Sequence, residues 1–332
     1  MEAPATLRAA TTPGLRCVYS LDVDQHAESL SAWQQRYEQL GRGRFNGRLD
    51  EVWLDDLQLF RERTNVAMLE TGAPWPGAWT LGVPLAMSGP AMHFGHPVDL
   101  DSALVVESGR GMYLRTPETF DVVGISIPTE VFAQLAAALG NAEAPAGYDT
   151  PVVRIATGPM QALRRRLLDA FDLLANGRLL PASHAARATL RSEVLEGLLA
   201  TLQHTTHPVA ESGTLAAHRR LAEQARALVH ASHALPPSVL ELCAALGVSR
   251  RTLQTCFQQV LGMSPHRYLL DMRLNGLRRG LRAARTEDTV QGLAADWGFW
   301  HLSSCAAEYR RLFGELPSAT LRRTRETTPA SA

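Results

Sequence analysis

Six hydrogen-bonding side chains crowd one short stretch late in the chain: Ser249, Arg250, Arg251, Gln254, Thr255 and Gln258. At 3.6 residues per turn they share one side of a helix, while Leu253, Cys256, Phe257 and Val260 share the other. The set contains no nucleophile–base pair and no metal cage. Its chemistry is recognition: a guanidinium can bond a guanine edge bidentately, a carboxamide an adenine edge, and hydroxyls commonly hold phosphate oxygens. About 51 residues later the arrangement returns, with Trp300, His301, Ser303, Ser304, Ala307, Glu308 and Arg311 outward and Cys305, Tyr309 and Leu312 inward. A lone polar stripe ordinarily faces solvent and nothing more. Two copies in a basic region point to a polyanion.

The elements that position these faces repeat as well. Leu242-Cys243-Ala244-Ala245-Leu246-Gly247-Val248-Ser249 is matched by Leu293-Ala294-Ala295-Asp296-Trp297-Gly298-Phe299-Trp300, and Gly262-Met263-Ser264-Pro265 by Gly314-Glu315-Leu316-Pro317. The spacing is that of a helix-turn-helix, two helices meeting steeply through a short turn. Gly247 and Gly298 fall where the first helix must end in the left-handed conformation. Ala244 and Ala295 are expected to admit the second helix, Val248 and Phe299 to plug the core beneath the turn, and Ser249 to cap the helix that follows. The glycines lie 51 residues apart and the prolines 52, so one residue is inserted in the second copy, read as lying in its second helix.

These residues resemble the AraC/XylS family of bacterial regulators, over about 220 to 323. The resemblance is carried by Gly247-Val248-Ser249-x-Arg251-Thr252-Leu253, Gly262-Met263-Ser264-Pro265-x-x-Tyr268, Arg273-Leu274, Gly298-Phe299 with Ser303, Phe313-Gly314 and Pro317. It implies a transcription factor with two recognition helices in successive major grooves of double-stranded promoter DNA. A bridging helix is expected over Pro265 to Arg285, with Tyr268, Leu269, Met272 and Leu277 inward and Arg273, Arg278, Arg279 and Arg282 toward phosphates. RNA polymerase, a small-molecule effector and a second copy of the chain are the further partners this resemblance suggests. Cys305, where the family usually has a bulky aromatic, and Asp296-Trp297 before the glycine depart from its pattern.

Ahead of that region, Phe45–Leu49, Val52–Leu54, Leu57–Phe60, Trp79–Val83, Leu104–Val106 and Val122–Ile127 read as short strands between Pro/Gly turns. They predict a small β barrel or sandwich, weakly similar to the cupin-like effector and dimerisation domain at the front of many members of the same family. Trp53, Trp75 and Trp79 are candidates to line an effector pocket, although tryptophans in a barrel are usually core. His93 and His96 are the candidate remnant of a cupin metal site, but no second ligand set follows, and structural histidines are the commoner reading. The pairs His204/His207 and His230/His233 are read the same way. Helical character begins at Thr129, a candidate N-cap, and continues through Pro159–Ala175 and His184–Gln203, equally suited to a dimer seam or to packing on the barrel.

The fold class expected is therefore α+β multidomain: a cupin-like barrel with helices, then an all-α domain of two helix-turn-helix units joined by a bridging helix. The expected divisions are 1–29, 30–205, a linker at 206–215, the double helix-turn-helix at 216–325 and a tail at 326–332. Of the 33 basic and 33 acidic residues, 16 arginines and 9 acids lie from Gly213 onward, so a back third of +7 follows a front of −7. No run of about 18 apolar residues is present and no export signal opens the sequence, which makes the cytoplasm the expected compartment. Four scattered cysteines form no CxxC pair. No nucleophile elbow, phosphate-cradling loop or HExxH occurs, so no catalytic residue, cofactor or metal is expected. The alternatives are a DNA-tethered cupin-type metalloenzyme and a regulator whose front domain only dimerises.

Overall fold

Runs of consecutive apolar residues in the front of the chain, such as Ala103–Val106, become strands buried on both faces. A computed structural model describes residues 14–138, 150–176, 183–206, 213–231 and 236–327. They divide into one unit of Met1–Tyr37, Asn46–Asn65 and Leu69–Ala210 and a second of Glu38–Phe45, Val66–Met68 and Glu211–Ala332.

The first unit begins with β1 (Arg16–Ser20), α1 (Val23–Ala27), β2 (Trp33–Gln39), β3 (Gly47–Leu54), β4 (Leu57–Thr64) and β5 (Met68–Pro74). Then come β6 (Ala78–Met87), β7 (Ala91–His93), β8 (His96–Val98), β9 (Ser102–Glu107), β10 (Met112–Arg115) and β11 (Phe120–Pro128). It closes with α2 (Thr129–Ala138), β12 (Val152–Ile155), α3 (Thr157–Ala175), α4 (His184–Leu202) and β13 (Thr205–Thr206). One sheet has the order β1-β3-β4-β11-β6-β9-β12-β13, the other β2-β5-β10-β7-β8. Both are open, so the closed barrel expected from sequence is not formed: the larger sheet ends on β1 and on the two-residue β13.

Alternation along β9 and β11 explains the layering. Ala103, Val105, Val123, Ile125 and Ile127 share a core with Met160, Leu163, Leu167, Leu190, Val194 and Leu198 of α3 and α4. The intervening Leu104, Val106 and Val122 share another with Ala91, Val98, Met112 and Leu114 of the smaller sheet. The larger sheet is thus sandwiched between a helical layer and a second sheet. Two of the expected strands, Phe45–Leu49 and Val52–Leu54, merge into the single strand β3. Thr129 is the first residue of α2 rather than its cap, and its hydroxyl donates to the Gly77 carbonyl at 2.8 Å.

The three tryptophans do not share a pocket. Trp79 is buried and stacks on Phe132, ring centroids 3.9 Å apart and planes 11° apart, inside the sheet–helix core. Trp53 and Trp75 pair at 5.2 Å, and Trp53 Nε1 donates to Ser31 Oγ at 3.0 Å. His93 and His96 face each other across the hairpin of β7 and β8. His93 is fully buried with its ring 3.3 Å from the Val105 carbonyl, and burial lowers the imidazole to about 4. Among the described residues no three His, Cys, Asp or Glu side chains are grouped to hold a metal. His207 and His233 lie outside the described residues. No helix of those residues is long and apolar enough to cross a membrane.

The second unit contains α5 (Gly213–Ala231), α6 (Val239–Leu246), α7 (Arg250–Leu261), α8 (Pro265–Arg282), α9 (Val290–Asp296), α10 (Leu302–Phe313) and α11 (Pro317–Thr327).

If Trp79 is structural, Trp79→Ala removes a large buried ring and its stacking partner's support. The expected loss is about 3–5 kcal/mol, read as a lower urea midpoint of the sheet unit. An unchanged midpoint would show that the ring is not core.

Candidate nucleic-acid interface

Capping fixes where each helix of the repeat begins. Ser238 and Glu241 form a capping box at the start of α6, Ser249 Oγ accepts the Thr252 amide at 3.0 Å, and Ser264 Oγ accepts the Arg267 amide at 3.2 Å ahead of Pro265. In the second copy Thr289 caps α9 through the Gly292 amide at 3.1 Å, whereas α10 starts after His301 with no side-chain cap. Gly247 and Gly298 turn the chain at φ 63° and 74°, left-handed values that favour glycine. Both turns are then closed alike, by Val248 N–H to the Cys243 carbonyl at 3.0 Å and Phe299 N–H to the Ala294 carbonyl at 2.9 Å.

Beyond those bonds the copies diverge. α7 and α10 each have twelve residues and each ends on a left-handed glycine, Gly262 and Gly314. The inserted residue therefore lies in the second turn and not in the second helix: Val248 and Ser249 precede α7, while Phe299, Trp300 and His301 precede α10. The small residues that admit the recognition helix are also shifted by one. Cys243 and Ala294 are buried, whereas Ala244 is exposed and Ala295 half-buried. The expected inward stripes, Leu253, Cys256, Phe257 and Val260 with Cys305, Tyr309 and Leu312, are buried throughout.

Helix α8 runs through the middle of the unit, with Tyr268, Leu269, Met272, Leu274, Leu277 and Leu281 buried. Gly276 lies directly beneath the indole of Trp297, and a Cβ there would sit 2.2 Å from the ring. The indole of Trp297 thereby packs against α8 where a side chain is missing. Three of the four α8 arginines expected to face phosphates, Arg273, Arg278 and Arg279, are engaged within the unit instead. Arg278 is buried, bonded to Glu315 at 2.9 Å, with its guanidinium 4.7 Å from the Phe313 ring centroid. Arg279 pairs with Glu38 of the same unit at 2.9 Å, and Arg273 donates to the Pro236 carbonyl at 3.2 Å. Arg282 is half-buried. Pulling Arg278 out to a phosphate would break its ion pair with Glu315 and lift its guanidinium off the Phe313 ring.

Helix α7 contrasts with this. Arg250, Arg251, Gln254, Thr255 and Gln258 are all exposed, and among the described residues none has an intramolecular side-chain partner. The helix contains no acid that could occupy its arginines. The hydroxyl of Ser249, also expected to contact a partner, is instead used in the cap and lies 2.9 Å from Thr252 Oγ1. On the second face Trp300, His301, Ser303 and Ser304 are exposed and likewise uncommitted, while Arg311 is ion-paired with Glu308. Arg220 and Arg310, which the sequence reading did not single out, are exposed without an ion pair among the described residues. No local sequence signal marks Arg310, because only the fold shows that Glu308 is engaged by Arg267 and Arg311, and Glu315 by Arg278 and Arg323.

The comparisons with known proteins bear on this unit. Residues 242–323 match a family of helix-turn-helix domains. The chain is 40% identical over 93 residues to a probable thc operon regulatory protein of Rhodococcus erythropolis, covering 27% of this chain and 28% of that one. It is 39% identical over 77 residues to XylDLEGF operon transcriptional activator 1 of Pseudomonas putida, covering 23% of each. The similarity thus spans less than a third of either relative. Among solved structures, a probable AraC family transcriptional regulator from Rhodopseudomonas palustris CGA009 is 32% identical over 32% of this chain and 97% of that one, with a TM-score of 0.30.

One buried acid makes the unit sensitive to pH. Asp271 on α8 bonds Arg267 at 2.9 Å, yet burial outweighs that pairing and raises its carboxyl to about 7. An unfolded aspartate ionises near 4. The stability its protonation confers is therefore complete below about pH 4 and lost as pH rises toward 7. The opening free energy of α8, followed by amide exchange, should fall by on the order of 1 kcal/mol per pH unit across that window relative to Asp271→Asn. Parallel profiles for the two proteins would mean that Asp271 is ionised throughout.

Proposed function

We propose, on the premise that residues 242–323 are a helix-turn-helix domain of AraC type, that the chain is a sequence-specific regulator of transcription that binds double-stranded DNA. The observation that carries this reading is the contrast in charge use. Arg267, Arg278 and Arg279 of α8 are occupied inside the unit, whereas Arg250 and Arg251 of α7 stand exposed beside Gln254, Thr255 and Gln258 with no partner of their own among the described residues. In this reading Arg250, Arg251 and Gln254 meet base edges in one major groove, and α10 enters the next groove with His301, Ser303 and Ser304. Thr255, Gln258, Arg282, Arg220 and Arg310 supply phosphate contacts. Arg311 serves on the second face once released from Glu308.

The front unit supplies regulation. A groove of ≈ 340 Å³ between α3 and α4, lined by Leu163, Leu167, Leu173, Leu190 and Val194 with Arg166 and Glu193 at hand, has the size and lining of a small-ligand site. The relatives' names, an operon regulatory protein and an operon activator, agree with such a role. Stabilisation of the full chain by one metabolite in a thermal-shift screen supports ligand control. Absence of any stabilising metabolite removes it and leaves the DNA reading intact.

The test of the main reading is selection of genomic fragments by the full-length protein at about 150 mM salt, a fixed value because phosphate contacts dominate affinity. Two protected boxes about one helical turn apart are expected. On a selected fragment Arg250→Ala and Arg251→Ala should each cost about 1–3 kcal/mol and relax one base pair. Equal losses on cognate and scrambled DNA would assign both arginines to the backbone instead.

A further inference from the structure

Trp300 is the least economical residue in the second unit. Its side chain is 79% exposed, the largest exposure among the described large apolar residues, and its ring has no stacking or cation partner among those residues. A single exposed apolar side chain is ordinary by itself, so it is the place of this one that matters.

Its position is the unusual feature. The two turns of the repeat share their glycine geometry and their closing hydrogen bond, and the two recognition helices share their length. The first turn places Ser249 next after Val248, and that serine caps its helix. In the second turn Trp300 occupies the equivalent place after Phe299, the chain runs one residue longer, and the helix begins uncapped. The capping place itself falls to His301, which makes no side-chain cap, and the indole of Trp300 precedes it on the longer turn. The side chains around it, His301, Ser303 and Ser304, are exposed and free of partners. The start of a recognition helix is the part that reaches base edges, and the apolar feature of the major groove is the C5-methyl of thymine.

We infer that Trp300 is a specificity-determining residue that reads thymine methyl groups in the DNA box contacted by α10. The inference rests on the DNA-binding reading above and names the base chemistry of its second half. The polar face of α7 reads donors and acceptors; the tip of α10 reads the apolar methyl.

Deoxyuridine substitution isolates this contact, because it removes the methyl and leaves pairing and every polar group unchanged. In a selected fragment each thymine of the second box is replaced in turn by deoxyuridine. Binding is measured for the full-length protein, Trp300→Phe and Trp300→Ala at fixed salt. The expected result is a loss of about fourfold at one or two positions for the parent protein, the factor that burying one methyl-sized group supplies. Trp300→Phe should keep that sensitivity. Trp300→Ala should bind the thymine fragment more weakly and be indifferent to the replacement. Sequence-specific binding that ignores every deoxyuridine, or a Trp300→Ala protein as sensitive as its parent, overturns the inference alone and leaves Trp300 to another partner. Absence of any sequence-specific binding by the parent overturns the regulator reading and this inference with it.

Discussion

Helix α8 brings an acid, an amide and a guanidinium into an apolar interior, and each must be satisfied there or cost several kcal/mol. Asp271 is answered by Arg267 one turn earlier. Asn275 donates to the Asp271 carbonyl at 2.8 Å and exchanges two bonds with the backbone of Gln39, at 2.9 and 3.0 Å. Arg278 meets Glu315, which also accepts from Thr320 and Arg323, and Thr320 Oγ1 lies 2.8 Å from the Tyr309 hydroxyl. Apolar contacts alone let helices slide by fractions of a turn. This directional network ties α8 to the segment before α11 and, through Tyr309, to α10, so α10 is held by bonds whose geometry tolerates little drift.

The same network settles where positive charge is available. A sequence count gives the back third an excess of seven, but a count does not say which arginines are free. Buried and partly buried acids claim Arg267, Arg278, Arg279 and Arg323. The surplus is left on α7, which has no acid of its own, and at scattered exposed positions such as Arg220 and Arg310. Internal pairing has thereby sorted chemically identical side chains into those that build the unit and those that remain for a polyanion.

Much of the second unit was legible because its signals are local. Turn glycines, caps, prolines at helix starts and a 3.6-residue stripe each depend on a few neighbouring residues, and helices α6 to α11 follow them closely. The assignments that failed depended on distant residues. Arg278 looks like any helix-surface arginine until Glu315 and Phe313 are folded against it. The inserted residue could not be placed between turn and helix from spacing alone, because both placements satisfy the same count. In the front unit the strands β9 and β11, with the apolar runs Leu104–Val106 and Val122–Val123, announced themselves, but β2, with sequence Trp-Gln-Gln-Arg-Tyr-Glu-Gln, did not. Its polar residues are strand-forming only in the company of their buried partners, among them the Tyr37 hydroxyl bonded to Glu62 at 3.0 Å.

The contact of Gly276 with Trp297 constrains how this half of the unit can change over generations. Enlarging Gly276 first drives a methyl into a packed ring, and shrinking Trp297 first opens a void against α8. Neither single step is neutral, though the double exchange of a larger residue at 276 for a smaller one at 297 conserves volume. Descendants of this chain should therefore cross between the two packings through simultaneous or compensated substitutions, and the pair should be inherited as a block even while the exposed side chains beside it vary freely.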